Sequence, residues 1–172
     1  MTTRASAPGV PPRDARREAF FTTGFGLGRL ELRGGQPVAL EIPDGARRPG
    51  VGAALDDDPW CALLTRYFAG ERVTFPLDVE AYIAQLGCTA FESDVLRALA
   101  RVPYGRTVSY RELARDAGHP AAWRATGTVM ARNELPVILP CHRVTRSDGQ
   151  LGRYGDDPSW KRRLLELEGA IT

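Results

Sequence analysis

The hydrophobic period of this chain changes partway along, and this change constrains the fold more than any other feature of the sequence. Residues 27–32 alternate apolar and polar side chains, Gly34 and Gly35 supply a turn, and residues 38–42 form a second short strand-like segment. Alternation with a period of two is typical of a half-buried strand. After Asp58, apolar residues recur instead at the spacing of an amphipathic helix. The sequence therefore predicts an α/β (α+β) fold, with a small antiparallel sheet and a helix first and a mostly helical half after them.

The chain divides into three predicted segments. Residues 1–18 are rich in Pro, Ala and Arg and lack apolar periodicity, which predicts a disordered tail. Residues 19–86 hold the strand pattern and a helix that Asp58 caps and Pro59 opens, so we expect an N-terminal α/β domain there. Residues 87–172 contain short helical patterns separated by Gly and Pro, which predicts a C-terminal domain of short helices.

Two of these short helices have the outline of a helix-turn-helix. Ser109 caps one helical segment, a tight turn containing Gly118 follows, and residues 121–132 form the next helix. The second helix of a helix-turn-helix is the one that usually meets DNA. Short helix pairs also pack inside proteins that bind no DNA, so the outline alone leaves both interpretations open.

Composition and charge exclude several classes of protein. The chain of 172 residues has a net charge of +2, but residues 1–100 carry 11 arginines against 13 acidic residues, and residues 101–172 carry 12 basic against 8 acidic residues. The positive half is a weak indication of a polyanionic partner. No apolar run approaches the roughly 20 residues that span a bilayer, and no apolar signal segment follows Met1, so we expect a cytoplasmic protein without membrane contact. Three widely spaced cysteines and two histidines predict neither a disulfide framework nor a metal site.

The strongest candidate for chemistry is a cysteine beside a histidine. Cys141 and His142 lie in the segment Pro140-Cys141-His142-Arg143-Val144, directly after the apolar residues 137–139. The thiolate is the reactive form of cysteine, and an imidazole that accepts the thiol proton raises the thiolate fraction at neutral pH. Free cysteines are also among the most buried residue types, so a purely structural cysteine is the alternative.

Other segments combine with this one into a family pattern. They are Val102-Pro103-Tyr104-Gly105-Arg106-Thr107-Val108-Ser109-Tyr110, Arg124-Ala125, Asn133, and Lys161 with Leu164-Leu165-Glu166-Leu167-Glu168-Gly169. With these segments, residues 91–169 resemble the O6-alkylguanine-DNA alkyltransferases, also called methylated-DNA–protein-cysteine methyltransferases. The first ninety residues match only loosely. The resemblance implies a repair protein that flips an alkylated guanine out of duplex DNA and moves the alkyl group irreversibly to its own cysteine.

The resemblance also implies roles for four catalytic residues. Cys141 would accept the alkyl group, and His142 would take the thiol proton through a bound water. Glu168 would orient the imidazole, in an arrangement like a hydrolase triad. Tyr110 would donate a proton toward the guanine ring, which makes the departing base a better leaving group.

The resemblance further implies a DNA-contacting helix and a base pocket. Arg124 would be the finger that fills the gap left by the flipped base. The other expected DNA contacts are Trp123, Ala125, Thr126 and Gly127. The expected pocket residues are Met130, Asn133, Val144, Tyr154 and Gly155. No cofactor is implied; the expected partner is double-stranded DNA that contains O6-alkylguanine, with O4-alkylthymine left open, and the expected solution state is a monomer.

Two other classes of function remain as alternatives. One is a non-catalytic protein that binds DNA lesions, or a helix-turn-helix regulator; relatives of that kind replace the cysteine, whereas this chain keeps Cys141. The other is a cysteine hydrolase or redox protein that uses Cys141 and His142. This chain departs from the family pattern at Trp123, where many relatives carry a small residue, and in residues 153–157, where relatives are richer in Gly and Ser. These departures concern DNA affinity and substrate range.

Overall fold

A computed structural model describes residues 16–46, 57–155 and 157–172. In the first half the elements are β1 (Arg16–Thr23), β2 (Gly26–Arg33), β3 (Gln36–Asp44), α1 (Pro59–Phe68) and α2 (Val79–Leu86). In the second half they are α3 (Ala90–Ala100), β4 (Val108–Ser109), α4 (Tyr110–Asp116), α5 (Trp123–Ala131), a single 3₁₀ turn (Cys141–Arg143), β5 (Val144–Thr145) and α6 (Ser159–Leu167). The predicted α+β class is confirmed.

The first three strands form the predicted antiparallel meander in the order β1-β2-β3. The predicted tail is wrong at its last three residues, because β1 begins at Arg16 and runs through Arg17 and Glu18. The strand ladder uses backbone groups, so exposed charged side chains do not prevent pairing. Charges on the neighbouring strand also complement them, with Arg16 Nη1 3.3 Å from Glu31 Oε1. Residues 1–15 lie outside the described part of the chain.

Helix α1 covers one face of this sheet and closes the first part of the core. Its start is the predicted one, since the Asp58 side chain accepts a hydrogen bond from Trp60 N and Pro59 is the first helical residue. Leu64 and Tyr67 of α1 are fully buried, in one cluster with the inward-facing residues of the sheet. Those sheet residues are Ala19, Phe21, Leu30, Leu32 and Leu40.

The second half contains the predicted helix pair. A capping box in which Ser109 and Glu112 exchange hydrogen bonds begins α4, and α5 packs against it. Helix α5 begins at Trp123, two residues later than predicted, because Ala122 N closes a turn by donating to His119 O at 2.9 Å. None of the described helices combines the length and apolar character that crossing a bilayer requires.

The segment that carries Cys141 is built from tight turns. Ile138 N donates to Pro136 O at 2.9 Å, which places Val137 at the centre of a three-residue turn with a φ of 74°. This left-handed conformation is strained for a β-branched residue. After the 3₁₀ turn, β5 pairs in parallel with β4, with Val144 opposite Val108. This pairing brings the start of α4, and therefore Tyr110, next to the cysteine turn.

Candidate active site

Cys141 is held from one side by Asn133. The cysteine is only 7% exposed, and its Sγ accepts a hydrogen bond of 3.0 Å from Asn133 Nδ2. The same amide nitrogen donates to Leu139 O at 2.9 Å, and Asn133 Oδ1 accepts from Leu135 N at 3.1 Å. One side chain therefore ties together the loop after α5, the turn before the cysteine and the sulfur atom itself.

His142, the residue after Cys141, forms a buried pair with Glu168. Both side chains are fully buried, and His142 Nε2 lies 2.8 Å from Glu168 Oε1. An ionised carboxylate only accepts hydrogen bonds, so Nε2 carries the ring proton and Nδ1 holds the lone pair. His142 Nδ1 is buried and has no protein partner among the described residues. It is thus the nitrogen available to take up a proton. Burial lowers the pKa of His142, while the Glu168 hydrogen bond raises it, and the balance lies below the ordinary value.

Glu168 receives hydrogen bonds from four residues. Besides His142, Arg143 donates through Nε and Nη2 at 2.9 Å each, and Gly105 N donates at 3.1 Å. Tyr67 of α1 donates its hydroxyl hydrogen to Oε1 at 2.6 Å. Burial raises the pKa of Glu168, but the hydrogen bonds and charges of His142 and Arg143 outweigh it and hold that pKa well below the usual range. The glutamate is therefore a fixed anion that orients the imidazole.

Lys161 brings a buried positive charge close enough to act on both the cysteine and the Tyr110 ring. This residue, the only lysine of the chain, is 1% exposed, and its Nζ donates to the Val144 carbonyl oxygen and lies 5.7 Å from the centre of the Tyr110 ring. Burial lowers the pKa of Lys161 to about 8, and the cysteine sulfur acts in the opposite direction. Burial raises the pKa of the Cys141 thiol above its ordinary value, and the Asn133 and Tyr154 side chains and the Lys161 charge offset part of this rise.

A cavity of about 1000 Å³ opens onto Cys141. Five of the predicted catalytic and pocket residues besides Cys141 line it: Tyr110, Met130, Asn133, Tyr154 and Gly155. Gly127, expected to contact DNA, also lines this cavity and approaches the Tyr110 ring. Val144 is not a lining residue; it is fully buried and its carbonyl oxygen accepts from Lys161. The first half of the chain contributes Phe25 to the lining, and the ring centre of Phe25 is 5.4 Å from that of Trp160.

The start of α5 presents a cationic and aromatic surface. Arg124 and Ala125 are exposed, and the Arg124 guanidinium carbon lies 4.4 Å from the Trp123 ring centre. Arg111 of α4 approaches the same ring at 5.3 Å. The expectation for Thr126 is wrong, because this side chain is fully buried and donates to Ala122 O at 3.1 Å. At helical spacing Thr126 falls on the face of α5 that packs inward.

Three residues of the site were missed by the sequence analysis. Tyr67 belongs to an apolar stripe that predicts only core packing, and it lies 101 residues before its partner Glu168. Arg143 stands within the cysteine segment, but its pairing with Glu168 has no sequence signal. Lys161 had one available signal, since a lone lysine in an arginine-rich chain is unusual.

Within the described ranges, no group of side chains is arranged to hold a metal ion.

Comparisons with known proteins agree with this geometry. The sequence model of the family described as "6-O-methylguanine DNA methyltransferase, DNA binding domain" matches residues 90–170. The methylated-DNA–protein-cysteine methyltransferase of Methanopyrus kandleri is 40% identical over 109 residues, which cover 63% of this chain and 77% of that protein. The chain belongs to this family. Within the family, the corresponding Mycobacterium leprae protein is 44% identical over 105 residues, and the match spans 61% of each chain, about three fifths of the relative's length.

A solved structure extends the similarity to most of the chain. Mycobacterium tuberculosis OGT in complex with DNA superposes with a TM-score of 0.70 and 31% identity, over 89% of this chain and 92% of that chain. The similarity to this family therefore includes the sheet and α1, which the sequence matches only loosely.

Proposed function

We propose that this protein repairs DNA by direct reversal, as a stoichiometric methylated-DNA–protein-cysteine methyltransferase. Cys141 Sγ attacks the alkyl carbon of O6-alkylguanine, so that an S–C bond forms as the C–O6 bond breaks. The protein keeps the alkyl group and is used once. The observation that carries the proposal is a cysteine at a cavity of about 1000 Å³, followed in the chain by a histidine that pairs with a buried glutamate.

The proton of the thiol has a defined acceptor. Because His142 Nε2 is bound to Glu168, the proton goes to Nδ1, through a water in the mechanism that the family resemblance implies. The imidazolium is then stabilised by a carboxylate 2.8 Å away. Asn133 donates to the sulfur and favours the thiolate over the thiol.

The leaving base needs a proton as its C–O6 bond breaks. Tyr110 lines the cavity and is assigned as the donor to the guanine ring. Lys161 lies 5.7 Å from the Tyr110 ring centre, so its charge favours the phenolate that forms when this proton leaves. Met130, Tyr154 and Gly155 are assigned to the walls around the base.

The partner in this proposal is double-stranded DNA, bound by α4 and α5 as a helix-turn-helix. Arg124 fills the gap left by the flipped guanine, and Trp123 and Ala125 flank it on the exposed side of the helix. We assign DNA binding and alkyl transfer to residues 87–172, and we propose a monomer that acts in the cytoplasm without a cofactor.

The proposal is tested by incubating the full chain with a duplex that contains one O6-methylguanine. We expect the duplex to gain an unmodified guanine, and the peptide that contains Cys141 to gain the mass of one methyl group in place of a hydrogen. Cys141→Ala is expected to bind the same duplex without this transfer, and Cys88→Ala serves as a control that transfers normally. Binding of the damaged duplex without any mass change identifies a lesion-binding protein and refutes the proposal.

A further inference from the structure

We propose that Tyr67 is a positioning residue of the alkyl-transfer site, which holds the His142–Glu168 pair and sets the pH range in which His142 accepts the thiol proton. This inference rests on the proposed function. It means that the Tyr67 hydroxyl, which comes from the first half of the chain, belongs to the hydrogen-bonded network of His142 and Glu168.

The Tyr67 hydroxyl is placed to contact both members of the pair. Its oxygen lies 2.6 Å from Glu168 Oε1 and 3.4 Å from His142 Nε2, and the residue is fully buried. The carboxylate only accepts, so the hydroxyl hydrogen points to Glu168 and a lone pair of the oxygen faces the Nε2–H group. This arrangement favours the tautomer that leaves Nδ1 free for the thiol proton. Burial and the Glu168 charge raise the pKa of Tyr67 well above its ordinary value, so the hydroxyl stays protonated.

The position of this hydroxyl is fixed by the packing around its ring. The ring centre lies 5.3 Å from that of Phe68, 5.9 Å from that of Phe75 and 6.2 Å from that of Tyr104. The Phe68 and Tyr104 contacts are edge-to-face, a favourable geometry for aromatic pairs. Helix α1 thus delivers the hydroxyl rigidly, across 101 residues of sequence, to Glu168.

The hydroxyl affects the proton affinity of His142 in a definite direction. A donor bound to Glu168 Oε1 withdraws negative charge from the oxygen that also faces His142 Nε2. Without that donor the carboxylate attracts the imidazolium more strongly, so the pKa of His142 rises. The hydroxyl lone pair acts in the opposite direction, but at 3.4 Å it is the weaker contact. The charged or titratable groups that act on or near the His142 ring are Glu168, Arg143, Lys161, Cys141, Tyr67 and Tyr154.

The test replaces Tyr67 by Phe in the full chain, and Tyr82→Phe is the matched control. Tyr82 is likewise buried, at 4% exposed, but has no described hydrogen bond to the site. The chain has two histidines, so a His119→Gln background leaves His142 as the single imidazole in an NMR titration. We expect Tyr67→Phe to raise the His142 titration midpoint by about half a pH unit or more, and Tyr82→Phe to leave it unchanged.

Transfer kinetics supply the second readout. His142 that is already protonated cannot take the thiol proton, so the acid limb of the transfer rate is expected to move to higher pH in Tyr67→Phe. A loss of thermal stability or rate with an unmoved midpoint, or a midpoint moved to lower pH, overturns the inference. If the unaltered chain transfers no alkyl group at any pH, the proposed function fails. The shift of the His142 titration midpoint in Tyr67→Phe still shows whether Tyr67 acts on His142.

Discussion

Replacement of Glu168 by Gln is the perturbation that most directly tests the hydrogen bonds and charge that hold His142 in place. The substitution keeps the size of the side chain but removes its charge and turns one acceptor into a donor. Tyr67, His142 and Arg143 all donate to Oε1. In the variant, an amide NH₂ or a neutral oxygen must face these donors, and Arg143, whose side chain is 10% exposed, loses its anionic partner.

The expected cost is large for a single substitution. Removing one partner of a buried ion pair destabilises a protein by about 3–5 kcal/mol. The total stability of a domain is about 5–15 kcal/mol, so the variant loses a large fraction of it. With a urea m-value of about 2 kcal/mol per molar, the midpoint of unfolding is expected to fall by about 2 M.

The assay is urea unfolding at neutral pH, with Glu166→Gln as the control. Glu166 lies on the same helix end but is exposed and faces Arg162 at 3.7 Å, a pair worth about 0.5 kcal/mol or less. The pKa of folded Glu168 lies below its ordinary value of about 4.3, so its contribution to stability is complete above that pH and is lost as the pH falls below it. The stability of Glu168→Gln is expected not to show this loss on acidification, because glutamine carries no titratable group. Equal midpoints for the two variants would refute the reasoning.

Three further predictions concern the cysteine, the DNA surface and the cavity wall. Asn133→Ala removes the hydrogen bond to Cys141 Sγ, so the thiol pKa is expected to rise and transfer to slow about tenfold, measured by alkylation of the thiol across pH. Trp123→Ala removes the ring beneath Arg124, so duplex affinity is expected to fall about fivefold while transfer from the free O6-methylguanine base stays unchanged. Phe25→Ala opens the cavity wall and is expected to slow transfer from O6-benzylguanine severalfold relative to O6-methylguanine, in paired rate measurements.

Local signals in the sequence predicted most of the elements. Alternation and the glycine pair predicted the meander, and Asp58 with Pro59 predicted the start of α1, because these features act through neighbouring backbone groups. The sequence has no local signal for a strand at Arg16. The prediction of a tail was wrong there because this end of β1 is held by its pairing with β2. Thr126 was misplaced because the orientation of a helix around its own axis depends on what it packs against.

The residues of the site likewise fall into those that the sequence predicts and those that depend on the tertiary fold. The Cys141–His142 adjacency and the family pattern predicted a site made of Cys141, His142 and Glu168, and the structure pairs His142 with Glu168. The Tyr67 hydroxyl was not predictable from its surroundings, because a buried tyrosine in an apolar stripe looks the same whether its hydroxyl meets solvent or a carboxylate. The place of Lys161 in the site could not be predicted locally, because it depends on the parallel pairing of β4 with β5, which brings Tyr110 near the ammonium group.

The central claim is that Cys141 accepts one alkyl group and is not regenerated. Titration of a fixed amount of protein with duplex that contains O6-methylguanine tests it most directly, with repaired guanine counted per protein molecule. We predict that repair stops at about one guanine per protein, with every modified protein carrying its methyl group on Cys141. Repair that continues past this ratio, or a protein that returns unmodified, would contradict the account.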